Sequence, residues 1–435
     1  MSLSIKKPHA KRQIQVPTLR TAPTDGPGAS GVLIDVLHDA EGGLLALALR
    51  LGLQTLQQLM AAEVDALVGP KGQHNAGRTA VRHGFEEGYV YIGDRKVPVT
   101  HPRVRTTTGD EVPMTTYQAF QDPAMASQAV LERLLFGLAS RQQHHADPTL
   151  NAVVAAAPPS KSTVSRRFIQ ATRQALDTFM ARRLDDRTWV VLMIDGIRVG
   201  RHLVVVALGI DQSGHKQILG LAEGATENST VVKSLLTDLV ERGFAHTDGV
   251  LAVIDGSKAL AKALQEVFGD TILIQRCILH KIRNVLDHVP ESAQSATRHR
   301  LRKAYQEPDA AHALKQLKAL AQELAYQYPQ AAKSLQEGME ETVTVQRLQL
   351  PGALRQALAT TNALESINSQ FRTHAKNVKR WSSGDQVLRW LASASLYLED
   401  GLRRIPGYRD LPVLQTQLRT AVGTGQSLAP DVAAS

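Results

Sequence analysis

Trp189-Val-Val-Leu-Met-Ile-Asp-Gly196 and Val250-Leu-Ala-Val-Ile-Asp-Gly256 follow one pattern, an unbroken apolar run closed by an Asp-Gly pair. Short apolar runs rich in β-branched residues and bounded by turn residues read as strands buried on both faces. Between the two, Leu203 to Ile210 reads as a second strand, Asp211-Gln-Ser-Gly214 as a turn and Lys216 to Leu221 as a third strand. Asn228 or Ser229 then caps a helix reaching about Arg242. A helix over Ser257 to Phe268, a fifth strand over Thr271 to Gln275 and a helix entered at Cys277 complete the block. Hairpin-linked strands followed by helical crossovers predict an α/β fold, a mixed sheet with helices over its faces.

Outward from this block, residues 186–289 are the first part of the core. Residues 290–358 read as an all-helical insertion, since Pro290 to Leu350 is helical in period and highly polar. The core resumes over 359–410, where Thr361 and Asn362 can cap a helix running toward Asn377, with Leu364, Ile367 and Phe371 on its buried side. Residues 411–435 form a weakly patterned tail. On the N-terminal side, residues 1–30 read as a disordered basic tail and 31–185 as a region of small helical and β modules. Val32 to Val68 is helical in pattern, with Leu44, Leu47 and Leu51 on one face, widened by Leu45, Leu49 and Leu56. Tyr89 to Ile92 and Lys96 to Val99 flank Gly93-Asp-Arg95 as a hairpin, and Pro98 confines the second strand to an edge. A helix is expected from Ala126 to about Arg141. After Pro158-Pro159, Ser162 or Thr163 caps another, with Val164, Phe168 and Ala171 as its apolar back. Arg166, Gln170 and Arg173, with Arg167, are then offered to phosphates and base edges, as in the second helix of a helix-turn-helix.

The chain carries 50 Lys and Arg against 41 Asp and Glu over 435 residues, a net charge of +9. That balance favours a polyanionic partner, either nucleic acid or an anionic membrane surface. A single cysteine, Cys277, excludes an internal disulfide. No apolar run reaches bilayer length, the best, Leu44 to Leu53, being broken by Arg50, and no apolar segment follows the N-terminal lysines. The expected location is the cytoplasm, with no membrane partner.

Asp195 and Asp255 are each expected to end a strand. If the two strands are parallel neighbours, both carboxylates sit at one sheet edge, where they repel and a divalent cation relieves the repulsion. Gly196 and Gly256 leave room for close approach. Glu365 is the candidate third acid, completing a site for two Mg²⁺ ions about 3.5–4 Å apart, with Mn²⁺ as a substitute. Asn368, Ser369 and Arg372 lie at i+3, i+4 and i+7 from it and share its polar face. Asn368 and Arg372 are therefore expected to position DNA, and Lys376, Lys379 and Arg380 to contact phosphates.

Four ordered motifs, Ile194-Asp-Gly196, Val253-Ile-Asp-Gly-Ser257, Gln275-Arg-Cys-x-x-His-Lys-x-Arg-Asn284 and Thr360-Thr-Asn-x-x-Glu-Ser-x-Asn368, resemble the Mutator-type transposases in their bacterial insertion-sequence branch. Glu63-Val-Asp-Ala-Leu-Val-Gly69, Arg82-His-Gly84 and Pro102-Arg103 resemble that family's N-terminal pattern, with His83 where the family often has Asn. The likeness runs over about residues 30 to 400. It implies a ribonuclease-H-like core, split by a helical insertion, whose Asp–Asp–Glu triad of Asp195, Asp255 and Glu365 holds the metals. It also implies binding to double-stranded DNA at terminal inverted repeats, Mg²⁺-dependent cleavage, and transfer of a free 3′-hydroxyl to target DNA. Cys277, His280, Arg283 and Asn284 would be signature residues close to the site. Joining two ends predicts a homodimer or larger assembly on DNA.

Rival readings exist. Cys277-x-x-His280 is half of a zinc motif, and no second cysteine completes it. His280-Lys-Ile-Arg283 also fits the His-x-x-Arg of tyrosine recombinases, for which Tyr305 is the nearest downstream nucleophile. A domesticated, non-catalytic DNA-binding protein would not need all three acids. A structure-selective nuclease would not need so large an N-terminal region.

Overall fold

The computed structural model describes residues 43–73, 77–93, 95–135, 159–226, 228–376 and 378–423. The expected tail 1–30, the start of the helix from Val32, the end of the helix toward Arg141, and the end of the tail 411–435 lie outside the described residues. The described residues fall into two compact units. Those within 1–88 and 98–119 form the first, and those within 89–97, 120–146 and 157–435 the second.

Helix α1 (Gly43–Val68) is followed by strands β1 (Ala80–Ile92), β2 (Arg95–Thr106) and β3 (Glu111–Val112), in sheet order β1-β2-β3, with residues 89–92 and 95–97 counted in the second unit. Leu56, Met60, Val64 and Val68 recur every fourth residue and form one buried row on α1. Val64 and Val68 close on Ala80, Val104 and Met114. This row replaces the expected stripe: Leu51 is exposed, and the side chains of Leu44 and Leu47 lie outside the described residues. Nor is β2 an edge strand. It is central, yet β3 meets it only at Val104 and Arg105, so Pro98 lies on a stretch with a single neighbour and breaks no second ladder. Asp65 pairs with Arg82, which also donates to the carbonyl of Gly69 at 2.7 Å. The Glu63 carboxylate accepts the amides of Thr115 and Thr116, at 2.6 and 2.9 Å, at the start of α2 (Thr115–Ala119).

The second unit begins with α3 (Pro123–Leu135) and α4 (Lys161–Ala181). Ser160, not Ser162 or Thr163, caps α4, its Oγ accepting the Thr163 amide at 3.2 Å. Five strands follow: β4 (Trp189–Val199), β5 (His202–Asp211), β6 (Lys216–Glu223), β7 (Val250–Ile254) and β8 (Ile272–Arg276), in order β6-β5-β4-β7-β8. The β4–β5 and β5–β6 pairs are antiparallel, and the β4–β7 and β7–β8 pairs parallel, the mixed sheet that the sequence predicts. Helices α5 (Ser229–Glu241) and α6 (Lys258–Phe268), capped by Asn228 and Ser257, cover one face. Leu236, Leu239, Leu260 and Leu264 there meet Leu192, Ile194, Val205 and Leu219.

The chain continues through α7 (Ile278–Leu286), α8 (Glu291–Gln306), α9 (Ala310–Gln327), α10 (Pro329–Gln336), α11 (Thr344–Arg347), α12 (Gly352–Leu358), α13 (Asn362–Ala375), α14 (Gly384–Glu399) and α15 (Leu411–Gly423). Leu364, Ile367 and Phe371 of α13, Leu391 of α14 and Leu414 of α15 pack with Met193, Val206, Leu208 and Val253 on the second face of the sheet. Val285, Leu301, Leu317, Leu335 and Val343 belong to a separate apolar cluster of the helical segment. The end of that segment is clasped to β8. Fully buried Gln275 donates Nε2 to the Thr342 carbonyl at 2.9 Å and accepts the Val345 amide at 3.0 Å, while Thr344 Oγ1 donates to the Ile274 carbonyl at 2.6 Å.

Gln275→Leu roughly keeps the volume and removes both clasp bonds and the Nε2 bond to the Arg276 carbonyl, leaving the Val345 amide and the Thr342 carbonyl without their side-chain partner. Each such loss costs about 1–3 kcal/mol, so a destabilisation of about 2–4 kcal/mol is expected in urea melts. A change under about 0.5 kcal/mol would show that this clasp contributes little.

Candidate active site

Strand β4 outruns β7. Their last parallel pair is Ile194 with Ile254; β4 then continues to Val199, paired only with β5. Asp195 therefore does not end its strand, as the sequence reading had it. It lies within β4 opposite Val206, at the point where the parallel ladder stops, and Asp255 is the first residue beyond β7. Side chains alternate along strands, so Asp195 shares the face of Met193. That is the face covered by α13, whose first turn carries Glu365.

Local backbone fixes both Asp side chains. The Gly196 amide donates to Asp195 Oδ1 at 2.8 Å and the Ser257 amide to Asp255 Oδ1 at 2.9 Å. Gly256 has φ +108°, a conformation open to glycine, so its role is conformational. Gly196 has no such demand: a Cβ there would make ordinary contact with Thr226 at 3.5 Å. Arg276 donates to the Gly256 carbonyl at 3.0 Å and pairs with Glu341, bracing the turn after Asp255.

The acids feel one another. Burial pushes the Asp195 carboxyl up to about 6; the Gly196 amide opposes this, the Asp255 charge adds to it, His280 opposes it and Glu365 adds to it. His280 Nε2 lies 3.9 Å from Glu365 Oε1. Its pKa is raised, first by hydrogen bonding with Cys277. Burial alone would raise the Cys277 thiol, but hydrogen bonds from His280 and Thr361 outweigh it and hold the thiol below its ordinary value. Thr361 contributes both its amide and its hydroxyl to Sγ, each at 3.5 Å. Among the described residues, no three His, Cys, Asp or Glu side chains are close enough to hold a metal ion in common as they stand. The donor chemistry still fits a hard cation. Two Asp and one Glu supply carboxylate oxygens, and a divalent charge would relieve the repulsion felt at Asp195.

The other expected residues divide. Arg283 and Asn284 are exposed on α7, one turn beyond His280. Arg372, Lys376, Lys379 and Arg380 are exposed. Asn368 is buried, 2% exposed, and so is not a surface contact for DNA. It stands at i+4 from Leu364 and i−3 from Phe371, within the inward stripe of α13, where the helical period assigns it. Arg166, Gln170 and Arg173 line one shallow groove along α4, while Arg167 lies over the Tyr91 ring, 5.3 Å from its centre. Val164 and Ala171 are buried as expected. Tyr305 is buried in the helical cluster with its phenol pushed far up by burial, unsuited to a recombinase nucleophile. Gln275, Arg276, Ser257 and Thr361 stand in the motifs, but their contacts that brace the site were not foreseen from the sequence. Their signal was polar character at strand–helix junctions, where a buried polar side chain needs a backbone partner.

A family model described as Transposase, Mutator family, matches residues 40–400. A probable transposase for an insertion sequence element of Corynebacterium diphtheriae is 30% identical over 267 residues, which cover 59% of this chain and 74% of the relative. The transposase for insertion sequence element ISRM5 of Rhizobium meliloti is 25% identical over 408 residues, 92% of this chain and 98% of the relative. The transposase for IS6120 of Mycolicibacterium smegmatis is 31% identical over 226 residues, 51% and 68% of the two chains.

The raised pKa of Asp195 predicts a pH-dependent stability difference. Folding favours the neutral carboxyl, so holding it ionised above pH 6 costs up to about 3 kcal/mol. The cost is absent below about pH 4, where the group is protonated both folded and unfolded. Asp195→Asn is expected to melt higher than wild type at pH 7.5 in EDTA, with the gap closing toward pH 4. Mg²⁺ should raise the wild-type Tm more than the variant's. A variant less stable than wild type at pH 7.5 in EDTA contradicts the assignment.

Proposed function

Because the chain belongs to the Mutator family of transposases of bacterial insertion-sequence elements, we propose that Asp195, Asp255 and Glu365 form a divalent-metal site for cutting and joining DNA. The observation that carries this reading is the register: Ile194 pairs with Ile254 in parallel, and the next residue on each chain is an aspartate. Glu365 arrives on the same face from α13 and contributes to the charge felt at Asp195. The order of three antiparallel strands flanked by two parallel ones, with helices on both faces, supports a ribonuclease-H-like core.

The three acids would hold two Mg²⁺ ions, which when bound activate the attacking oxygen and stabilise the leaving one. The chain's own residues orient the acids. Amides of Gly196 and Ser257 fix one oxygen of each aspartate, Arg276 braces the turn between Asp255 and Ser257, and His280 flanks Glu365. Arg372, Lys376, Lys379 and Arg380 supply cations for phosphates beside α13, and Arg166, Gln170 and Arg173 a polar face for the element's terminal repeats. Asn368 is buried and is left out of these DNA contacts. Joining two ends calls for two active sites, and so for a homodimer or larger assembly on DNA. No helix among the described residues is long and apolar enough to cross a membrane.

The test uses labelled duplex carrying the terminal repeats, with Mg²⁺, Mn²⁺ or EDTA. Metal-dependent nicking that leaves a 3′-hydroxyl, followed by joining to a second duplex, is expected. Asp195→Asn, Asp255→Asn and Glu365→Gln should bind the ends as wild type does and cut them roughly 10³-fold more slowly. Binding without cutting by wild type under every metal would favour a non-catalytic DNA-binding protein. A preference for branched junctions over repeat ends would favour a nuclease.

A further inference from the structure

The β4–β5 hairpin projects past the end of β7 and carries two exposed arginines, Arg198 and Arg201. It closes by a two-residue turn between the paired residues Val199 and His202. Gly200 occupies the first turn position with φ +59°, which suits glycine. A Cβ built there would fall 2.8 Å from Cδ1 of Trp381, so the indole rests directly on the turn backbone. Trp381 follows Lys379 and Arg380, both exposed. Its ring meets Trp390 edge-on, with centroids 5.9 Å apart, and Trp390 lies 5.4 Å from Phe168 of α4. One chain of aromatic contacts therefore fixes the hairpin tip, the segment 379–381 and the helix bearing Arg166, Gln170 and Arg173.

The charges on this seam are uncompensated. Arg198, Arg201, Lys379 and Arg380 form no ion pair among the described residues. The neighbouring acids are engaged elsewhere: Glu223 with His202 Nδ1 at 2.7 Å, and Asp385 with Arg389 Nε at 2.9 Å. Cations fixed close together repel, and a polyanion relieves that repulsion. At a strand rise of about 3.3 Å per residue, the turn at Gly200 stands about 16 Å along β4 from Asp195, a span of about five base steps of duplex, whereas Arg198, three residues from Asp195, falls on the opposite face of the strand.

We propose that the β4–β5 hairpin tip, through Arg201, and the segment bearing Lys379 and Arg380, locked together by Trp381 on Gly200, form a cradle for the phosphate backbone of the DNA being cut. The inference rests on the DNA-cutting reading above and adds the hairpin tip, Gly200 and Arg201, which lies beyond Asp195 on the same hairpin and carries none of the three acids. The cradle is blind to sequence: it holds the duplex beside the acids and does not choose the phosphodiester.

Binding of duplex carrying the terminal repeats is measured with the full chain in EDTA across a salt series. For the triple variant Arg201→Ala, Lys379→Ala and Arg380→Ala, the slope of log K against log salt should become shallower by about 2–3, near 0.9 for each lost phosphate contact. Arg201→Lys with Arg380→Lys should keep the wild-type slope. Lys262→Ala, exposed on α6 and remote in sequence from the seam, should also keep it. In Mg²⁺ the triple variant should cut at the same position as wild type, with lost activity restored by higher DNA concentration. A triple-variant slope equal to wild type overturns the cradle and leaves the triad standing. A slope change in Lys262→Ala of about one third of that in the triple variant, equal per charge removed, would mean only net charge matters, which also overturns it. If wild type neither binds nor cuts the duplex, the DNA-cutting reading itself falls.

Discussion

Burial of a carboxylate beside a second one, at the end of a shared parallel ladder, is the constraint around which this structure is arranged. One unpaired carboxylate in a partly buried position is already costly, and a second beside it raises the cost. The fold meets this by spending backbone amides on both aspartates, by giving the residue after Asp255 a conformation open to glycine, and by bracing that turn with buried Arg276. Arg276 in turn takes Glu341 as its counter-ion, from the end of the helical segment. The acidic site is thus coupled to a part of the chain that contributes none of its acids.

A second joint explains why two motifs far apart in sequence belong together. The Ile278 amide donates to the Ala359 carbonyl at 3.0 Å, and the amide and hydroxyl of Thr361 reach Cys277 Sγ. These contacts fasten the start of α7, which carries His280, to the start of α13, which carries Glu365. Cys277 is fully buried and acts as a small apolar residue that also accepts weak hydrogen bonds. Its place in the motif follows from this joint without any metal.

The strands from Trp189 to Arg276 were legible because a sheet covered on both faces requires apolar runs, and because Asn228 and Ser257 mark the helices between them. What remained hidden was relational. Asp195 looked like a strand end because the apolar run stops there, yet a hairpin partner lets β4 continue with Arg198 facing solvent. Asn368 looked like a surface contact because its chemistry is polar, although the spacing from Leu364 and Phe371 turns it inward. Gln275 was hidden for a further reason: its partners, Thr342 and Val345, lie about seventy residues downstream, beyond the reach of any local pattern. The cap of α4 lies two or three residues before the expected Ser162 or Thr163, at or just beyond the usual uncertainty of helix ends.

The clasp of Gln275 on the chain near Val345 also orders events in time. The sheet that carries both aspartates closes with β8, whereas α13 can dock only after the whole helical segment has been synthesised and its loop closed on β8. Closing so long a loop is entropically slow compared with the local hairpins of the sheet. A nascent chain therefore carries two of the three proposed acids well before the last one arrives. Premature termination within the segment would leave a protein with a sheet, an exposed edge strand at β8 and an incomplete set of acids, prone to pair edge to edge with its neighbours.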